Sequence, residues 1–188
     1  MQQYTDHHFQ QIDFTQQPVT KSEYDNCQFT HCNFEATNLS GFVLIDCVFN
    51  HCNLSLCKLG NTTFNNCIFS DCKMLGLHFE HCNQQLFSVS FNNCTLNLSS
   101  FYQTKIKGVQ FNQCSLQEVD FSEANASQAT FAHCNLYKAI FENTQLENAD
   151  FTTAVNFNIN PSINKIKNAQ FGAGNLAGLL QSFHIQIK

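Results

Sequence analysis

Large apolar residues recur at every fifth position through most of this chain. Phe29, Phe34, Leu39, Leu44, Phe49, Leu54, Leu59, Phe64, Phe69, Met74 and Phe79 form one run. Leu86, Phe91, Leu96, Phe101, Ile106, Phe111, Leu116, Phe121, Ala126, Phe131, Leu136, Phe141, Leu146 and Phe151 form a second. A period of five is neither that of a helix nor that of a strand. It describes a chain that turns every few residues and returns to the same inward direction, the mark of a repeat architecture. A second slot, two residues before each large one, holds Cys, Thr, Ser, Ala or Val, with Phe42 and Leu77 as bulky exceptions. The other three positions are mostly polar. Two inward residues per five fit a four-sided coil with one pentapeptide per side and twenty residues per turn. The cysteines agree, since Cys27, Cys47 and Cys67 are spaced by twenty, as are Cys32, Cys52 and Cys72, and Cys94, Cys114 and Cys134. Phe recurs every ten residues from Phe91 to Phe151, so two opposite faces should point Phe inward and the other two aliphatic residues.

The expected fold is all-β: a right-handed quadrilateral parallel β-helix of about seven to eight turns, roughly 35–40 Å long at strand spacing. Its span is 1–173. Phe9, Phe14 and Val19 begin the beat weakly, and Pro18 breaks a polar stretch, so residues 1–22 read as an irregular first coil. Leu86 follows Phe79 by seven residues instead of five, which predicts a register break near 82–86. Asn83, Gln84 and Gln85 would form its corner loop, dividing the rod into two stacks. Asn156 and Pro161 occupy large slots and predict a looped last coil.

Residues 174–188 should cap the end. Leu176, Leu179, Leu180 and Phe183 fall on one face of a short helix with Asn175 as N-cap. His184–Lys188 alternates like a strand. Solenoid ends expose core and unpaired backbone, and need a cap. One rod end cannot cover both the helix face and Ile185 and Ile187, so a homodimer through Leu176, Leu179, Leu180, Phe183, Ile185 and Ile187 is expected.

Composition narrows the function. Formal net charge is −5, charged residues are 12%, and all nine cationic side chains are Lys. Arg, the usual residue for bidentate phosphate and guanine contacts, is absent, which argues against direct nucleic-acid binding. No apolar stretch reaches the length of a membrane span, and no signal-peptide pattern opens the chain. Eleven cysteines without a secretion signal predict a reducing cytoplasm.

The cysteines fit the small inward slot and read as packing residues rather than metal ligands; Cys27 and Cys32 are five apart, outside zinc-ligand spacing. His31-Cys32, His51-Cys52, His81-Cys82 and His133-Cys134 would point Cys inward and His outward, so no pair chelates one ion. His31, His51 and Asp71 share an outer column that reads as a solvated ladder. No nucleophile, base and orienting group converge, and no Gly-rich phosphate loop exists. No enzyme, metal or cofactor is therefore expected. The candidate partner-binding residues are acidic: Glu23, Asp25 and Asp46 on one face of the first stack, and Asp120, Glu123 and Glu142 on one face of the second. Rows of carboxylate on a rod could imitate duplex DNA.

The small–polar–large–polar–polar pattern over about residues 5–171 resembles the pentapeptide-repeat family, whose members fold as right-handed quadrilateral β-helices. Cys52-Asn53-Leu54-Ser55-Leu56, Asp71-Cys72-Lys73-Met74-Leu75-Gly76 and Ile159-Asn160-Pro161-Ser162-Ile163-Asn164 are similar to stretches in a subgroup that protects type II topoisomerases. That subgroup comprises the Qnr quinolone-resistance proteins, the albicidin-resistance protein and the microcin B17 immunity protein. The resemblance implies a cytoplasmic, non-enzymatic dimer that presents a DNA-like acidic surface to DNA gyrase or topoisomerase IV. Qnr proteins of Gram-negative bacteria also carry two longer loops, where this chain has only its two-residue insertion. The alternative is a general protein-interaction scaffold with an unrelated partner.

Overall fold

The computed structural model describes residues 2–17 and 21–186. The chain forms a right-handed four-sided β-helix of about eight turns. The second face is a continuous nine-stranded parallel sheet, starting at His8–Gln10 and ending at Gln170–Phe171. Its pairing is in register, with Phe9 against Phe29, Phe29 against Phe49, Phe49 against Phe69, Phe69 against Phe91 and Phe91 against Phe111. The first face begins as a four-stranded sheet of Gln2–Thr5, Ser22–Asp25, Val43–Ile45 and Thr63–Asn65. Elsewhere the sides are held by single bridges such as Asn33–Asn53 and Lys105–Asn125.

The corners explain the polar slots. The residue two after most of the large ones lies in the left-handed region, with φ of 51–62° at non-glycine positions such as Asn26, Asp46, His51, Asn66 and Asn93. Asn, Asp and His tolerate that conformation better than most residues. Their side chains then bond along the rod: Asn26 Nδ2 donates to Asp6 at 2.6 Å, Asn66 to Asp46 at 2.6 Å, and Asn93 to Asp71 at 2.6 Å. Asn or Asp one residue before the large slot folds back on the turn. Asn33 accepts from Glu35 N at 3.1 Å and Asp120 from Ser122 N at 2.8 Å, both Asx turns.

The core is an aromatic zipper. On the second face Phe91, Phe111 and Phe131 stack at 5.2 Å between centroids. On the opposite, fourth face Phe79, Phe101, Phe121 and Phe141 stack at 4.4, 5.3 and 5.0 Å. The two columns meet edge-on, as in Phe101–Phe111 at 5.7 Å and 83°. In the small slots, a thiol or hydroxyl donates to the carbonyl of a large residue one coil below. Cys57 Sγ reaches Phe34 O at 3.0 Å, Thr62 Oγ1 reaches Leu39 O at 2.7 Å, and Thr144 Oγ1 reaches Phe121 O at 2.9 Å. All eleven cysteines are buried and free.

Three expectations need correction. The first coil is regular along three sides: Tyr4 stacks on Tyr24 at 5.0 Å, Phe9 on Phe29 at 4.9 Å and Phe14 on Phe34 at 4.5 Å. Pro18 and Val19 lie outside the described residues. Second, the insertion does not divide the rod, because the second-face sheet passes straight through it, offset to a 22-residue step at Cys67–Val89 and Lys73–Thr95. Leu86 does not take the inward slot. It is 51% exposed, while Phe87 packs against the core beside Phe79 at 5.9 Å.

The last coil is looped as expected, with Phe157 and Ile159 filling the core beside Asn156 and Pro161. Third, the short capping helix is present but is 3-10 in form, Ala173–Leu179 followed by Gln181–Phe183, with Gly172 at the N-cap position. Glycines at 172, 174 and 178 weaken an α-helix. Gly178 also presses on the last coil, where an added Cβ would lie 2.4 Å from Phe157 O. Asn175 does not cap the turn; its Nδ2 donates to Ala154 O at 2.9 Å and ties the cap to the rod. His184–Gln186 form no strand, and Ile187 and Lys188 lie outside the described residues.

Candidate functional site

Glu23 and Asp25 flank the inward Tyr24 on a first-face strand and point outward, partly exposed. Asp46 follows at the next rung, on the corner between the first and second faces, where it accepts the Asn66 amide. Asp120 and Glu142 lie on the fourth face and Glu123 at its corner with the first. Glu123 N donates to Glu142 O at 2.8 Å, so these acids occupy two adjacent rungs. Glu123 accepts from Gln103 Nε2 at 2.8 Å and from Tyr102 Oη at 3.3 Å. Partial desolvation, then the charge of Glu123, raises the Tyr102 phenol above its ordinary value.

The two acidic sets therefore sit on adjacent faces at opposite halves of the rod. They do not join into one stripe. In the second half the first face carries Lys105, Lys107, Lys165 and Lys167, in the columns that Glu23 and Asp25 begin. Lys138 borders the other acidic set from the far corner of the fourth face.

The insertion loop is well bonded. Asn83 Nδ2 donates to Thr63 Oγ1 at 3.1 Å, and Gln84 Nε2 to Phe79 O at 2.8 Å. Gln84 Oε1 accepts Lys105 N at 3.4 Å, and Gln85 N donates to Asn83 Oδ1 at 3.2 Å. Beside it is a group that pattern reading missed. His78 Nδ1 lies 2.9 Å from Glu80 Oε1, and the His78 and His81 rings stack at 5.5 Å. The signal was a 3-10 turn at Phe79–His81, which departs from the left-handed corner used elsewhere.

At the capped end Leu179 packs against the core, whereas Leu176, Phe183 and Ile185 are 44%, 54% and 56% exposed. Leu180 is half-buried, and Ile187 is not described.

Cysteines and histidines separate as their register requires. Cys32 and Cys52 are buried, while the His31 and His51 rings stack outside at 4.8 Å. His51 Nε2 lies 3.8 Å from Asp71 Oδ2. Among the described residues no group of three or more His, Cys, Asp and Glu is placed to hold a metal. Burial pushes the Cys57 thiol up to about 11. A hydrogen bond to Cys114 raises Cys94 to about 12, and one to Cys134 raises Cys114 to about 12. Such thiols are poor nucleophiles at neutral pH. Among the described residues no helix is long and apolar enough to cross a membrane.

Several comparisons bear on this geometry. A trypsin-treated variant of QnrB1, a plasmid-mediated fluoroquinolone resistance protein, superposes with a TM-score of 0.59 at 17% identity, covering 100% of this chain and 92% of that one. A second trypsin-treated QnrB1 variant gives 0.50 at 16%, covering 99% and 100%. HetL, a pentapeptide repeat protein involved in heterocyst differentiation regulation from the cyanobacterium Nostoc, gives 0.52 at 14%, covering 90% and 84%. No curated protein matches in sequence. The family profile described as a pentapeptide repeat region matches residues 42–119 and 104–179, and the chain belongs to that family.

Proposed function

We propose that this chain is a non-enzymatic, cytoplasmic protein-binding rod that engages a type II topoisomerase, DNA gyrase or topoisomerase IV, and shields it from poisons. The observation that carries the reading is the acidic cluster of Asp120, Glu123 and Glu142, held within two rungs of a rod that matches QnrB1 over its whole length. Carboxylates at fixed spacing on a rigid wall suit a basic, DNA-binding surface, as phosphates do. Glu23, Asp25 and Asp46 offer a second such patch, so the DNA likeness is local. Dimerisation would use the apolar end of Leu176, Phe183 and Ile185, placing two acidic clusters in one particle. The insertion at Asn83, Gln84 and Gln85 stands where a longer loop would meet the partner.

The break between the acidic patches favours a second reading: a general interaction scaffold with another partner. HetL, whose described role is developmental regulation, matches the fold at a similar TM-score. Gyrase supercoiling, run with and without the protein in several poisons, separates the two. Protection that falls with rising salt, and falls further in Glu123→Gln/Glu142→Gln than in Lys138→Gln, supports the topoisomerase reading. Identical inhibition with and without the protein, together with no topoisomerase in pull-downs, leaves the general scaffold.

A further inference from the structure

The first face carries a self-complementary order of charge and apolar surface. One column of this face runs Gln3, Glu23, Val43 and Thr63, the last buried beneath Asn83 of the insertion loop, then through the loop to Lys105, Asn125, Gln145 and Lys165. The loop is fixed in this column from both sides, by Asn83 Nδ2 on Thr63 Oγ1 and by Lys105 N on Gln84 Oε1. The other outward column runs Thr5, Asp25, Ile45, Asn65, the loop, and then Lys107. Acid lies two rungs below Thr63 and Asn65, and base lies two rungs above. Apolar residues fill the rungs between: Val43 and Ile45 below, and the 51%-exposed Leu86 above.

These charges have no ionic partner among the described residues. Among the described residues the salt bridges are His51–Asp71 and His78–Glu80. Lys105 and Lys107 are exposed, and Lys21, the cation at the corner beside Glu23, lies along Gly41.

From this order we infer that the first face is a docking surface for a second copy of the chain, laid antiparallel about a two-fold axis that crosses the rod at Thr63 and Asn65. A two-fold in the contact plane keeps each column opposite itself and reverses the rungs. Glu23 then meets Lys105 of the second copy, and Asp25 meets Lys107. Val43 and Ile45 meet the loop bearing Leu86, and Asn65 meets its own counterpart. Gln3 and Thr5 face the neutral Asn125 and Ser127. Each match away from the axis occurs twice, as an isologous interface requires. A parallel side-by-side pair would instead set acid on acid and base on base.

The stretch from the acidic rung of Glu23 to the basic rung of Lys105 covers five rungs, about 24 Å at strand spacing. It falls in the small-interface class, so the association is weak and salt-sensitive. It covers Glu23 and Asp25 and leaves the Asp120, Glu123 and Glu142 cluster and the apolar end free. It would compete with a partner for the Glu23 and Asp25 patch, does not depend on the topoisomerase reading of the Asp120, Glu123 and Glu142 cluster, and is compatible with a dimer through the end.

Sedimentation of the full chain, from micromolar to several hundred micromolar, tests the inference. In low salt a self-association step is expected that weakens about tenfold or more in 0.5 M salt. Glu23→Lys/Asp25→Lys and Lys105→Glu/Lys107→Glu should each abolish it, because both symmetric contacts become repulsive. A mixture of the two variants should associate, since every facing pair is then opposite in sign. The quadruple reversal should restore self-association, which separates docking from any loss of folding. No salt-sensitive step in the parent chain, or a step untouched by either double reversal, overturns the inference. So does a mixture that stays dissociated while both variants retain the parent's circular dichroism.

Discussion

Replacing Phe111 by Ala would open the centre of the aromatic zipper. Phe111 is fully buried, with Phe91 and Phe131 stacked above and below at 5.2 Å each. Phe101 and Phe121 meet it edge-on at 5.7 and 5.9 Å. Core Phe→Ala substitutions cost about 3–5 kcal/mol, and the cost rises where the site cannot collapse. Here collapse is opposed by the backbone ladder, which holds Phe91 and Phe131 in register with Phe111. Each lost ring pair adds about 0.5–1.5 kcal/mol beyond buried area, so the upper end of that range, about 5 kcal/mol, is expected.

Phe9 is the internal control. It sits on the same face, in the first coil, half-buried, with one phenylalanine stacked on it along the column, Phe29 at 4.9 Å, where Phe111 has two, and with Tyr4 and Tyr24 at its edges. Phe9→Ala should cost about 1–2 kcal/mol, the scale of a partly exposed apolar side chain. Urea unfolding followed by far-ultraviolet circular dichroism measures both. Because each coil contacts only its neighbours, hydrogen exchange in Phe111→Ala should rise first in residues 91–131. A loss under about 2 kcal/mol at Phe111, or equal losses at the two sites, would refute the picture of a nearest-neighbour aromatic core.

The period of five made the faces legible because it fixes side-chain direction without reference to any distant contact. Phase alone placed Phe101 and Phe111 on opposite inner walls and sent His31 and His51 outward. Phase could not choose between neighbours once spacing failed. Leu86 and Phe87 are both apolar, and the closed hydrogen bonds of Asn83 and Gln84 decide that Phe87 turns in. Asn156 and Phe157 repeat that lesson. At the end of the chain, Leu176, Leu179, Leu180 and Phe183 have helical spacing, yet the turns tighten to 3-10 where Gly178 meets Phe157. That contact joins segments about twenty residues apart, and nothing local encodes it.

The acidic residues were assigned to faces by the same phase, but their relation along the rod emerges only in three dimensions. Glu23 and Glu123 share a residue type and not a surface. Whether a carboxylate is free was also hidden. Asp46 belongs to a corner ladder with Asn66, and Glu123 is held by Gln103 and Tyr102, while Glu23 and Asp25 have no ionic partner among the described residues. Glu80 lies in a 3-10 turn that departs from the left-handed corner, which the repeat pattern does not encode.

Two further outcomes follow from the capped end and from the buried thiols. Phe183→Ser/Ile185→Ser should turn a dimer into a monomer at micromolar concentration with little change in urea midpoint, because both side chains are more than half exposed. A parent chain that already sediments as a monomer in high salt would refute the end-to-end dimer. The thiols predict alkaline loss of stability. Cys57 is raised to about 11, and Cys94 and Cys114 to about 12, from an ordinary 9.0. Tyr24 is raised by burial to about 12 from 10.0. A raised folded-state value means that the unfolded chain releases its protons first. The stabilisation is complete below about pH 9 and is lost as pH climbs towards the folded values. Cys94 and Cys114 sit in one hydrogen-bonded column with Cys134, whose thiol the same contact lowers, so Cys57, raised by burial, carries the prediction. At pH 10 it would contribute a loss on the order of 1 kcal/mol. Urea midpoints of the parent and of Cys57→Ala, in a non-thiol reductant at pH 7.5 and pH 10, measure it. Cys57→Ala should lose about 1–3 kcal/mol at pH 7.5, through lost packing, yet fall less steeply between the two pH values. An equal fall in the two proteins would mean that this thiol ionises as readily inside the coil as outside, and would refute burial as the cause of its shift.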